Sequence, residues 1–199
     1  MSVRLFLVCL SLVFWLSLPA RCQNLVLNGG FETGNFSSWT QFGDTGFTSV
    51  QTTASPEGTH QAWFGPLSRG GIRQNIATII GQTYQISYRL SAGDSTSSTR
   101  TFLAQFGNPT ARTTLESLTN PALFGFTLRT FTFVATTTTS QIRFRFENDP
   151  DYWRLDNVIV QRVQTVPELN AKAAQLPTIL ILLMLAIVFE RRPRPAPGP

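Results

Sequence analysis

The chain has 199 residues, of which 14% are charged and 12% are aromatic, and its formal net charge is +5. This length allows one domain of ordinary size with peripheral segments. Sparse charge together with 16 phenylalanines favours half-buried strands over solvated helices.

The basic balance does not indicate a nucleic acid partner, because the charge is unevenly placed. Residues 23–166 contain ten Arg against nine Asp plus Glu, a net charge of +1. The remaining +4 lies in the two ends, beside apolar runs. Charge at the edges of apolar runs is typical of membrane-topology signals. We therefore expect no nucleic acid binding.

Residues 1–22 predict a secretory signal peptide that forms an apolar helix. Arg4 precedes the apolar run 5–18, and Pro19 and the small residue Ala20 follow it. We expect cleavage after Cys22 or Ala20. A lipoprotein anchor at Cys22 is the alternative, but a lipobox needs a small residue where this chain has Arg21. Residues 23–162 contain no cysteine, which excludes a disulfide or a cysteine nucleophile there.

Residues 23–162 predict an all-β domain. The opening apolar segment 25–27 is predicted as a strand, and apolar residues alternate with polar ones in segments 84–90, 130–133 and 141–146. Weaker strands are predicted at 46–52, 61–64, 71–78, 101–106, 113–118 and 153–160. Turn-forming residues separate these segments. We expect an antiparallel β-sandwich or jelly roll, flanked by the signal helix and a transmembrane helix.

The strand pattern stops after this domain. Residues 163–170 form a predicted linker, residues 171–190 a transmembrane helix, and residues 191–199 a basic, Pro-rich cytoplasmic tail. The apolar stretch 171–189 has 19 residues and spans about 28 Å as a helix, close to the thickness of a bilayer's hydrocarbon core. The arginines after the helix favour a cytoplasmic end.

The tail resembles the bacterial PEP-CTERM surface-sorting signals, which join a Pro-Glu motif, an apolar helix and an arginine cluster. The corresponding residues are Val166, Pro167, Glu168, Arg191, Arg192 and Arg194. Leu169 follows where such signals usually have a second proline. The resemblance implies export, membrane anchoring, processing by an exosortase-type enzyme, and delivery to the cell surface or matrix.

The body resembles the β-sandwich domains that accompany such tails, and more distantly galactose-binding-like carbohydrate-binding modules. The resemblance rests on the opening segment 28–32 with Trp39 and on the closing segment 153–158. It implies a structural calcium ion between the opening and closing strands, held by Asn28, Glu32 and Asp156. Calcium takes six to eight oxygen ligands. Alternatively, Glu32 caps a turn and Asp156 accepts backbone N–H groups at a strand bulge.

Aromatic rings stack on sugar rings, so Trp39, Trp63, Tyr152 and Trp153 are carbohydrate-binding candidates, with Tyr152 best placed in a loop. The alternative is that these rings pack in the core.

Catalysis has little support in the sequence. His60 has no partner at a recognisable spacing, and Asp149 and Asp151 flank a proline as turn residues do. We therefore predict a non-catalytic cell-surface or matrix protein. The alternatives are an exopolysaccharide-binding module and a secreted hydrolase.

Overall fold

The computed structural model describes residues 23–53, 55–93, 99–149 and 151–163. These residues form ten β-strands: β1 (Thr40–Gly43), β2 (Thr48–Gln51), β3 (Gln61–Phe64), β4 (Gly70–Ala77), β5 (Thr83–Ala92), β6 (Thr99–Asn108), β7 (Ala111–Thr119), β8 (Phe124–Val134), β9 (Thr139–Asp149) and β10 (Trp153–Arg162). The predicted signal peptide, transmembrane helix, basic tail and sorting motif lie outside the described residues, as does the linker beyond Val163.

The strands form two five-stranded antiparallel sheets. Sheet A has the order β1-β4-β9-β6-β7, and sheet B has the order β2-β3-β10-β5-β8. Strands that are consecutive in the sequence often lie in different sheets, which is the connectivity of a sandwich or jelly roll. The predicted all-β sandwich is therefore confirmed for the described part of the chain.

Aromatic rings fill the space between the sheets, because one face of each central strand is apolar. Phe64 of sheet B stacks on Phe146 of sheet A with ring centroids 3.9 Å apart. Tyr88 contacts Phe144 edge to face at 5.0 Å. Such pairs contribute about 0.5–1.5 kcal/mol beyond the burial of their area. The core therefore stabilises the domain without a disulfide.

The prediction of a strand at 25–27 is wrong, because Asn24 takes the place of a backbone partner. Its side-chain amide donates to Val158 O at 3.1 Å, and its Oδ1 accepts from Val160 N at 3.0 Å. The N–H of Leu27 donates a hydrogen bond to Gln74 Oε1 on β4 at 2.8 Å. The segment contacts both sheets and belongs to neither ladder.

Strand β1 was not predicted. Its sequence, Thr-Gln-Phe-Gly, carries a single large apolar residue, so it shows no alternation to detect. Its pairing with β4 at the edge of sheet A, where Thr40 lies opposite Arg73, defines it instead.

No helix long and apolar enough to cross a membrane occurs in the part of the chain that the structure describes.

Candidate functional site

The opening segment lies along the closing strand β10. The N–H of Leu25 donates to Val160 O at 2.8 Å, and that of Val158 donates to Gly29 O at 2.9 Å. A Cβ on Gly29 would lie 2.1 Å from Val158 O. The close approach therefore requires glycine.

Glu32 is held by donors from the segment before β3. Its carboxylate accepts from the N–H groups of Thr59 and His60, each at 3.0 Å, and from Thr59 Oγ1 at 2.9 Å. The N–H of His60, followed by the groups of Thr59, lowers the pKa of Glu32 to about 2. Glu32 is therefore ionised and ties the opening loop to the start of β3.

Asp156 lies at a β-bulge in β10. The register with β5 shifts between Asp156 and Ile159, and Asn157 adopts a left-handed backbone with φ of 48°. The Asp156 side chain is fully buried, and its Oδ1 accepts from Asn157 N at 2.6 Å. Burial raises the pKa of this carboxyl group.

Four oxygen atoms converge beside Asp156. Ser55 Oγ lies 2.6 Å from Asp156 Oδ2, 2.5 Å from Glu57 O and 3.1 Å from His60 O. A hydroxyl group has one proton, so it can donate fully to only one of these three acceptors. The Glu57 N–H donates to Ser55 Oγ at 3.3 Å, and the other lone pairs of the group lie beside the buried Asp156 carboxylate. A cation such as Ca²⁺ would neutralise this oxygen cluster, which we define as Ser55 Oγ, Asp156 Oδ2 and the carbonyls of Glu57 and His60.

The residues predicted for calcium relate to the oxygen cluster in different ways. Asp156 is part of it. Glu32 lies beside it, because a Cβ on Gly30 would be within 4 Å of both the Glu32 and Asp156 side chains. Asn28 instead donates its amide to Asn35 O at 2.9 Å inside its own loop. Within the described ranges, no three His, Cys, Asp or Glu side chains are grouped to hold a metal, so carbonyl and hydroxyl oxygens would supply the other ligands.

Two of the four carbohydrate-binding candidates are buried. Trp153 is fully buried and packs on Phe102, with ring centroids 5.5 Å apart. Trp39 is 7% exposed, and its indole N–H donates to Asn28 O at 3.0 Å. Their rings pack in the core, as the alternative to sugar binding proposed.

Trp63 and Tyr152 are half-buried and meet at the outer surface of sheet B. Their ring centroids lie 5.3 Å apart with an interplanar angle of 53°. The guanidinium carbon of Arg154 lies 4.7 Å from the Trp63 ring centroid. A Cβ on Gly65 would lie 2.8 Å from the Tyr152 ring, so glycine leaves the space that the ring occupies. We call Trp63 and Tyr152 the aromatic pair.

The residues considered for catalysis have structural contacts. His60 Nδ1 lies 2.8 Å from Thr59 Oγ1 and 3.3 Å from Glu32 Oε2. Asp151 Oδ1 accepts the N–H of Tyr152 at 2.7 Å, as expected of a turn residue. Asp149 ends β9, where it lies opposite Thr99.

Two contributors to these sites, Ser55 and Arg154, carry no signal in the sequence that joins them to their partners. Ser55 lies 101 residues from Asp156, so no local spacing joins them. Arg154 reaches Trp63 because β3 and β10 pair in the register that places these residues opposite each other. Alternation along β10 would have placed Arg154 on its outer face, but not beside Trp63.

Comparison with known proteins gives structural matches only. No family model matches the chain, and no curated protein matches its sequence. A family 61 carbohydrate-binding module solved with β-1,4-galactotriose aligns with a TM-score of 0.60 at 17% identity, covering 71% of this chain and 99% of the module.

Two further modules share the fold. A family 16 module aligns with a TM-score of 0.53 at 17% identity, covering 71% of this chain and all of the module. A family 22 xylan-binding domain aligns with a TM-score of 0.52 at 16% identity, covering 75% of this chain and all of the domain. At these identities the likeness concerns the fold alone. The described residues between 23 and 163 therefore share the β-sandwich fold of these three carbohydrate-binding modules.

Proposed function

We propose that this protein is an exported, non-catalytic polysaccharide-binding protein that contacts its glycan through the aromatic pair. The observation that carries the proposal is the placement of Trp63 and Tyr152, whose partly buried rings meet on the outer surface of sheet B. Partly exposed aromatic rings beside polar groups suit the apolar faces of sugars. The structurally similar modules include one in complex with a galactotriose and one described as xylan-binding.

Tyr152 is the residue to test first, because it lies in the connection between β9 and β10, whereas Trp63 lies within β3. We expect the full-length protein to be retarded in native gels containing β-1,4-galactan or xylan. Tyr152→Ala should lower the affinity measured from that retardation by at least about tenfold. A loss of this size is within the range seen when an anchoring aromatic side chain is truncated.

Gly65→Ala is a second variant that keeps the aromatic pair but moves it, since the added methyl group would meet the Tyr152 ring. Leu128→Ala, an exposed apolar residue on sheet B, is the control and should bind as the wild type does. Undiminished binding by Tyr152→Ala would remove the aromatic pair from the proposal. A protein that retains no glycan would favour the simpler role of a structural surface protein.

The cellular part of the proposal rests on the terminal segments. We propose that residues 1–22 direct export and that residues 171–190 hold the chain in the membrane. An exosortase-type enzyme would then act at Val166, Pro167 and Glu168, with the protein finally at the cell surface or in the matrix. A surface location would bring the sandwich to exopolysaccharide.

We also propose one structural calcium ion at the oxygen cluster. Asp156 would be its charged ligand, with Ser55 Oγ and the carbonyls of Glu57 and His60 as neutral ligands. Calcium would neutralise the buried Asp156 carboxylate and would fasten the segment before β3 to β10.

A further inference from the structure

The outer face of sheet A carries a group of arginines that neither the core nor the aromatic pair uses. Arg73 of β4, Arg143 and Arg145 of β9 and Arg112 of β7 all project from this face. Their neighbours along β4 and β9, such as Ile72 and Phe144, are buried against sheet B. We call the surface around these four arginines the arginine face.

The strand register brings the four guanidinium groups together. Arg73 lies directly opposite Arg143, which lies opposite Gln105 on β6. Arg112 Nη1 reaches over β6 to Gln141 Oε1 at 3.1 Å. Partial burial, and then Arg112, Arg145 and Arg73, lower the pKa of Arg143. The four positive charges therefore act on one another.

Folding does not account for this arrangement. Like charges directly opposite each other on neighbouring strands are destabilising. No ion pair joins any of the four arginines to a carboxylate of the described residues. Glu147, farther along β9, pairs with Arg69 at 3.4 Å instead. The arginine face therefore keeps an uncompensated positive charge at a cost in stability.

The face also holds the guanidinium groups in place and gives a ligand room. The Phe42 ring lies 4.3 Å from the guanidinium carbon of Arg143 and 5.8 Å from that of Arg73. Such cation–π contacts orient the arginines without neutralising them. A groove of about 620 Å³ runs beside Arg73, Asn75 and Gln141. Amides and hydroxyls also lie on this face, as in Gln105, Thr101 and Ser117, together with the apolar Leu103.

We propose that the arginine face binds an anionic polysaccharide, at a site separate from the aromatic pair on the other sheet. The planar guanidinium fork donates two parallel hydrogen bonds to a carboxylate or a sulfate group. The surrounding amides and hydroxyls would bind sugar hydroxyl groups. The choice of a polysaccharide among polyanions rests on the proposed function.

Nucleic acid fits the arginine face less well. Single-stranded nucleic acids stack their bases on open aromatic rings, but two guanidinium groups already lie against Phe42. A domain that binds the nucleic acid backbone is usually strongly basic overall, whereas residues 23–166 carry a net charge of +1, from ten Arg and nine acidic residues. The positive charge is confined to one face of the domain and is not spread over its whole surface.

Binding assays on the full-length protein at low salt test the proposal, with polygalacturonate, heparin, neutral β-1,4-galactan and duplex DNA as probes. We expect polygalacturonate or heparin to bind, and the affinity to fall as salt rises because salt screens exposed charges. Comparison of the carboxylated probe with the sulfated one identifies the anionic group.

Variants test the role of the arginines. Arg143→Gln should weaken binding of the anionic probe by about tenfold or more, because charged hydrogen bonds are lost. Arg143→Lys keeps the charge but not the fork, so its affinity should lie between those of the wild type and Arg143→Gln. Arg143→Gln should melt close to the wild type, since the relief of like-charge repulsion offsets the lost contact with Phe42. Arg162→Gln on sheet B is the matched control for net charge and should bind as the wild type does.

The outcomes separate this inference from the proposed function. Neutral galactan bound through Tyr152, with anionic probes bound no better and Arg143→Gln without effect, overturns the arginine face and leaves the proposed function intact. Anionic binding lost in Arg143→Gln but retained in Tyr152→Ala supports the arginine face as a separate site. Duplex DNA binding that competes with polygalacturonate and is equally lost in Arg143→Gln overturns the choice of a polysaccharide. Failure of all the probes to bind overturns both proposals.

Discussion

At the residue scale, the surroundings of Asp156 determine what the oxygen cluster can bind. Its side chain is fully buried, with Ser55 Oγ and Asn157 N as close donors and carbonyl oxygens behind Ser55. A buried carboxylate without a cation is costly. The same carboxylate becomes stabilising when a cation joins the cluster. Asp156 would therefore destabilise the fold in the absence of the cation and stabilise it in its presence.

This reversal gives a prediction for Asp156→Asn. In calcium the wild type should melt higher than the variant, by roughly 5–10 °C if calcium is at about a hundred times its Kd, which corresponds to about 2.7 kcal/mol. In excess EDTA the wild type should melt no higher than the variant, since the variant lacks the buried charge. Thermal denaturation of both proteins in both buffers measures this. A wild-type melting temperature unchanged by EDTA would remove calcium from the cluster.

At the scale of elements, the opening segment shows how a stretch without strand structure can join two sheets. Leu25 and Gly29 bond to β10 of sheet B, while Leu27 bonds through its N–H and its carbonyl to the side-chain amide of Gln74 in sheet A. Gln74 also donates to Ser38 O at 3.0 Å, so its buried amide is well satisfied. The segment closes one side of the sandwich in place of a strand.

Gly29→Ala tests this contact between the elements. The added methyl group would meet the backbone carbonyl of Val158, which cannot move without disturbing β10. We expect a loss of about 1–3 kcal/mol in the free energy of unfolding, as for other overpacked sites. Urea denaturation measures the loss. Gly125→Ala on β8 is the control, because no atom lies within 4 Å of its added methyl group, and equal behaviour of the two variants would contradict the argument.

At the scale of the whole molecule, each of the two sheets would carry one of the proposed binding surfaces. The aromatic pair lies on the outer surface of sheet B, and the arginine face lies on the outer surface of sheet A. A protein delivered to the cell surface could then contact polysaccharide from both sides of the sandwich. Such an arrangement would cross-link chains rather than cover a single one.

Export and sorting have their own test, the intact mass of the protein isolated from the producing cell. We expect a chain that begins at Arg21 or Gln23 and ends near Pro167–Glu168, because both terminal signals would be removed. Replacement of Arg191, Arg192 and Arg194 by Gln should leave the tail attached, since the arginine cluster is part of the signal. A wild-type mass that includes residues 171–190 would contradict processing, and a lipid mass on Cys22 would indicate a lipoprotein.

Alternation with period two is a local property, so the fold class and most of the strands can be predicted from the sequence alone. Segments 84–90 and 141–146 show it clearly, and both lie inside the observed strands β5 and β9. The alternation also placed Arg143 and Arg145 on the outer face of β9. It could not show that Arg73 and Arg112 lie beside them.

Which residues meet across strands depends on how the strands pair in the folded domain. The register sets Arg73 opposite Arg143, and the bulge at Asp156 turns that carboxylate inward toward Ser55, 101 residues away in the chain. Register depends on packing between distant segments, and a shift of one residue would send each of these side chains to the opposite face. Trp39 and Trp153 make the same point: the sequence left both a sugar site and the core open to them, and burial between the sheets placed both rings in the core.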